Sequence, residues 1–168
     1  ALRAAARLLI AVARLDEIFF YLFVPKLAGG DVEHALELCV ALEEVLPIDG
    51  RAWRAYGLTH AERADEALAL LDEGLLEHPD SRLLHGTRGH VLGKLGRLDE
   101  AQASFAAATA GPEDEEHYRA LHGQLAFLVE HELRPEDAVA IAETYIEADP
   151  EFPLEPPLSK ILIQSVDL

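Results

Sequence analysis

A single cysteine, Cys39, leaves the chain unable to close an internal disulfide, so its stability requires no oxidising compartment. Its neighbours Leu38, Val40 and Leu42 place the thiol on an apolar face, as an inert core group. No uncharged apolar run reaches the roughly 18–20 residues of a membrane span. The stretch 8–13 has the apolar character of a signal-peptide core, but Arg14, Asp16 and Glu17 follow at once without a small-residue cleavage pattern. Methionine is absent even at position 1, which points to a processed or excised start. Basic residues are scarce: 14 Lys and Arg face 31 Asp and Glu, for a net charge of −17. Phosphate backbones demand clustered cations, so nucleic acid is excluded as a partner. An acidic cytoplasmic protein is the expectation.

Catalytic signatures are missing as well. His85 and His90 are five residues apart, as are His117 and His122, so neither pair has the four-residue spacing of a helical zinc site. No glycine loop for phosphate and no Gly-x-Ser-x-Gly elbow occurs. The acidic run 113–116 reads as a solvated helix start. The expectation is a non-enzyme with no catalytic residue, no metal and no cofactor.

What the sequence does contain is a repeat. Ala67, Ala101 and Ala138 each follow an acidic pair, and Ala35 follows Glu33-His34. Pro47, Pro79 and Pro150 each stand twelve positions beyond one of these alanines, and Pro112 stands eleven beyond Ala101. With only nine prolines in the chain, such agreement marks a period, and the alanines themselves recur at steps of 32, 34 and 37. Each block between alanine and proline has helical periodicity: Leu36, Leu38, Cys39, Leu42, Val45 and Leu46 in one, Leu68, Leu70, Leu71, Leu75 and Leu76 in the next. A second helix precedes each block, over 51–61, 82–95 and 114–132. Turns fall at Gly29-Gly30, 61–64, Gly96 and Arg134-Pro135. Helix, short turn, helix, repeated about every 34 residues, is the signature of a helical solenoid.

The residues at these positions resemble the tetratricopeptide repeat family. Residues 82–115 carry the resemblance best, with Gly89, then Gly96 to Ala101, then Phe105 and Ala108. The preceding segment offers Trp53, Tyr56 and Gly57, followed by Ala67, Leu71 and Pro79, with an inter-helix turn about two residues shorter than the family's. Arg88 and His85 depart from the pattern, standing where the family buries large apolar side chains. The resemblance implies an all-α fold, a right-handed superhelix of antiparallel helix pairs with flanking capping helices. Its units are a helix over 1–15, repeats over 16–49, 50–81, 82–115 and 113–152, and a connector with capping helix over 153–168, all in one domain. Small residues Gly57, Gly89, Ala101 and Ala108 would admit close helix approach, with Trp53 or Phe105 filling the space beside them.

By the same resemblance the first helices of the pairs line a concave groove for a protein or peptide. Carried over residue by residue, that groove presents Phe20, Tyr21 and Val24, then Arg51, Arg54 and Leu58, then Leu83, Gly86, His90 and Lys94, and finally Gly123, Gln124, Phe127 and His131. Its cations would favour a partner with carboxylates or a free chain end, unless Arg51 and Arg54 are spent on nearby Glu and Asp. The implied function is a binding adaptor or co-chaperone-like module. A bacterial secretion chaperone and a self-assembling scaffold are the alternatives, the latter requiring an oligomer. Residues 1–15 hold three basic and no acidic residues, against 11 basic and 31 acidic in the rest. Docking on the first repeat is their first reading and membrane contact the lesser one.

Overall fold

The structure, a computed structural model, describes residue 23, residues 25–112, 115–131, 138–141 and 143–144. The expected N-terminal and capping helices, the Arg134-Pro135 turn and the side chains of Phe20, Tyr21 and Val24 lie outside the described residues. Six helices are complete: α1 (Val32–Glu43), α2 (Pro47–His60), α3 (Ala64–Glu77), α4 (Arg82–Lys94), α5 (Leu98–Thr109) and α6 (Glu115–Glu130). No strand occurs among the described residues, so the fold is all-α. The chain divides into two compact units, residues 1–70 and 71–168, and the division falls inside α3.

In the first unit α1 packs on α2 as an antiparallel pair. Arg51 reaches Glu43 at 3.2 Å, and a Cβ on Gly57 would lie 3.1 Å from Leu36, so partner numbers fall along α1 as they rise along α2. The core is Phe23, Ala35, Cys39 and Leu42, with Leu27, Leu38, Leu46, Trp53 and Tyr56 packed around it. Phe23 and Trp53 rings meet at 5.3 Å and Trp53 meets Tyr56 edge-on at 5.9 Å. Burial pushes the Cys39 thiol up to about 12, so it is protonated and inert at neutral pH. Helix α2 begins at Pro47, four residues earlier than the apolar pattern predicted. Proline suits this first helical position, because its missing N–H has no intrahelical partner to lose.

In the second unit α4 and α5 form another antiparallel pair. As the residue number climbs along α4 from Arg82 through Gly86 to Gly89, its partner descends from Pro112 through Ala108 to Phe105. Helix α6 packs on both. Against α4 it runs parallel, and the register is the repeat itself: Arg82 meets Glu116 at 3.4 Å, and a Cβ on Gly93 would lie 2.9 Å from Phe127. The two members of each pair are separated by one full period of the repeat. Phe105 sits fully buried where the three helices meet. Its ring would be 2.9 Å from a Cβ on Gly89 and 3.3 Å from one on Gly123, two positions again one period apart. Absent side chains on α4 and α6 therefore make the slot that the α5 ring fills. Leu71, Leu84, Val91, Leu92 and Leu125 are buried in the same unit.

Candidate functional site

The joints between paired helices fix which residues are equivalent from repeat to repeat. After α2, the N–H of Arg63 donates to the carbonyl of Leu58 at 2.9 Å; after α4, the N–H of Arg97 donates to that of Leu92, also at 2.9 Å. The N–H of Glu62 reaches Thr59 as that of Gly96 reaches Gly93. Glu62 and Gly96 are both left-handed, at φ 60° and 72°. Beyond each joint an arginine forks onto a glutamate three residues ahead: Arg63 to Glu66 and Arg97 to Glu100, each through two bonds of 2.7 Å. These hydrogen bonds hold both carboxyls below their usual range. Every equivalence in this set spans the same single period. The α2–α3 turn is thus as long as the α4–α5 turn, and the shorter turn predicted from the sequence came from pairing Gly57 with Gly89. The residue equivalent to Gly89 is Ala55, which is fully buried.

That correction moves the expected groove of α2. Two residues along a helix are a rotation of roughly 200°, enough to exchange faces. Of the residues expected there, Leu58 is buried, and Arg51 and Arg54 pair with α1. Leu58 is a core side chain, 5% exposed, equivalent to the fully buried Leu92. Arg51 and Arg54 converge from α2 on one carboxylate, Glu43 of α1, at 3.2 and 3.5 Å. The equivalent of Arg54 is Arg88, whose Nε donates to Asp72 of α3 and whose NH1 donates to the buried hydroxyl of Ser104 on α5, both at 2.7 Å. The arginine that departs from the family pattern therefore ties α4 to two neighbouring helices instead of waiting for a ligand. Charge-assisted bonds of this kind replace the apolar packing a leucine would give.

On α4 the expected residues stand better. Leu83 and His90 are half-buried and Lys94 is exposed in the last turn of the helix, where the dipole favours a cation. On α6 Gln124 is half-buried and, in the register of the repeat, level with His90. Gly86 and Gly123 face α5 instead, toward Ala108 and Phe105. Phe127 is a further correction. At 4% exposure it belongs to the core, against Gly93 and the Phe105 ring, with centroids at 5.4 Å. His131 stacks on Phe127 at 5.0 Å and stays half-buried. Leu83, His90, Lys94, Gln124 and His131 are what remains of the expected groove set in this unit. Position for position, Tyr56 and His60 are the α2 counterparts of His90 and Lys94, and their rings stack at 4.5 Å. The apolar pattern passed over both; the recurrence of the Arg-x-x-Glu fork one period later was the signal that identifies them.

An open cleft of about 590 Å³ lies at the edge of the second unit, between the loops before α4 and before α6. Pro79, Ala107, Ala110 and Pro112 give it apolar walls, and Asp80, Arg82, His85 and Glu116 its polar ones. Arg82 donates to the Pro112 carbonyl at 3.0 Å and pairs with Glu116. His85 Nε2 donates to the Pro79 carbonyl at 2.8 Å, which leaves the lone pair on Nδ1. Among the described residues no group of three or more His, Cys, Asp and Glu could hold a metal ion, and no helix is long and apolar enough to cross a membrane.

The tetratricopeptide repeat family model matches residues 58–125, from the end of α2 to the middle of α6. No curated protein and no solved structure matches the chain.

Proposed function

Since residues 58–125 match the tetratricopeptide repeat, a module that generally mediates protein–protein interaction, we propose that the chain is a protein-binding adaptor whose recognition surface in the second unit is the face of α4 and α6 bearing Leu83, His90, Lys94 and Gln124. The parallel stacking of α4 and α6, one period apart, carries this reading. Leu84, Val91, Leu125 and Phe127 lie in the core, whereas Leu83, His90 and Gln124 are half-buried and Lys94 is exposed. Their chemistry is mixed: an apolar contact, a donor–acceptor imidazole, a cation and an amide. Such a row suits an extended peptide, whose backbone needs both donors and acceptors while its side chains supply specificity.

Lys94, with His131 near the other helix terminus, is the group that would meet a carboxylate or a free chain end. Arg51 and Arg54 share the single Glu43 carboxylate, which leaves them less charge to offer an acidic partner.

The test is site-specific photo-crosslinking in native lysate. A photoreactive side chain at position 94 or 124 should trap the same partner, whereas one at exposed Ala103 on α5 should not. Equal trapping at all three positions, or trapping at 103 alone, would remove the α4–α6 face as the recognition surface. The finer carboxylate reading predicts that Lys94→Ala weakens that partner's capture more than Lys94→Arg does.

A further inference from the structure

The second unit also presents an apolar feature that its own packing leaves unused. Leu76 belongs to the leucine series after Ala67, and its periodicity predicted burial, yet it is 86% exposed. The five residues from Leu76 to Asp80 are all exposed, and Pro79 and Asp80 lead into the cleft walled by Ala107, Ala110 and Pro112. Charge around this apolar ground is mainly negative. Glu73, Glu77 and Asp80 are exposed. The nearby cations are paired, Arg82 with Glu116 inside the cleft and Arg88 with Asp72. Residues 71–168 as a whole hold 7 basic and 20 acidic residues, a net charge of −13.

We propose that this edge of the second unit docks a basic amphipathic segment of a partner protein, with an apolar side chain laid on Leu76 and the cleft and Lys or Arg beside Glu73 and Asp80. Opposite charge draws the segment in and suppresses acidic competitors. The exposed leucine and the cleft supply the apolar contact that a merely polybasic chain would not use. Leu76 and Glu73 lie on α3 and Asp80 in the loop before α4, so the residues that carry this surface differ from Leu83, His90, Lys94 and Gln124, although α4, α5 and α6 also line the cleft.

Fluorescence anisotropy with the full chain tests the proposal, using as probe a short labelled peptide with leucines at helical spacing and lysines between them. Binding should weaken at least about fivefold in Leu76→Ser, the equivalent of roughly 1 kcal/mol of lost apolar contact. That position is too exposed for the change to unfold the chain. Glu73→Gln with Asp80→Asn should weaken it too, and Lys94→Ala should not. A peptide of the same composition with its leucines scrambled should bind less well, and one with glutamate for lysine should not bind. Three outcomes would overturn the proposal: no binding of the basic probe, equal binding of the scrambled probe and of Leu76→Ser, or loss through Lys94→Ala with Leu76→Ser unaffected.

Discussion

The two units place different residues at equivalent points of one repeat. In the second, an α5 phenylalanine fills a slot between Gly89 and Gly123, and the turn before α5 uses Gly96 for its left-handed residue. In the first, the position equivalent to Gly89 holds Ala55, and the left-handed residue is Glu62. Leu71, the first residue of the second unit, stands one period before Phe105. Aromatic mass in the first unit gathers instead around Phe23, Trp53 and Tyr56.

The sharpest way to break this comparison is to empty the slot. Phe105→Ala should cost about 3–5 kcal/mol, read by urea denaturation, because the glycines facing the ring cannot collapse into the void. Filling the slot from the other side comes next. Gly89→Ala should cost about 1–3 kcal/mol, since its Cβ meets a ring with no room to retreat. Adding Phe105→Leu replaces the ring with a smaller side chain and makes room for the new methyl group. It should return part of that loss, giving a double mutant more stable than the sum of the single changes.

The turns give a smaller effect of opposite signs. Glu62→Gly should stabilise by about 0.5–1 kcal/mol, as glycine removes left-handed strain at a modest entropic cost. Gly96→Glu should destabilise by about 1 kcal/mol or more for the same reason. Thermal melts of the two variants should therefore move in opposite directions.

The smallest effect belongs to the forks that the units share. Folded Glu66 and Glu100 titrate below their ordinary value of 4.5 because Arg63 and Arg97 hydrogen-bond them. The stability they lend is present above that value and disappears as pH falls through the lowered folded values. Arg63→Ala with Arg97→Ala should lower the melting temperature slightly at neutral pH. At the acid end of the titration, the gap between variant and parent should close.

These contrasts also show how far the sequence could be read. Periodicity found the six described helices, which depend on residues within one or two turns of the chain, and the family resemblance put Phe105 in the core. The α2 register was out by two residues, since Gly57 imitates Gly89 while the true equivalent, Ala55, is small without being glycine. That slip put Arg51, Arg54 and Leu58 on the groove. Glu43 lies eight residues before Arg51 and meets it only when α1 and α2 fold together, so the pairing was available only as an alternative. Phe127 and Leu76 failed in opposite directions. An apolar residue at helical spacing is buried only where a neighbour covers it: Gly93 opens a place for Phe127, and nothing of the kind covers Leu76.

The most direct measurement of the central claim is nuclear Overhauser contact between the Phe105 ring and backbone protons of the chain. Stacking of α6 on α4 one period along predicts contacts to the Hα protons of both Gly89 and Gly123, with Phe127 touching Gly93. Contacts to Gly89 alone, with none to Gly123 and none between Phe127 and Gly93, would leave α6 unstacked and contradict the account.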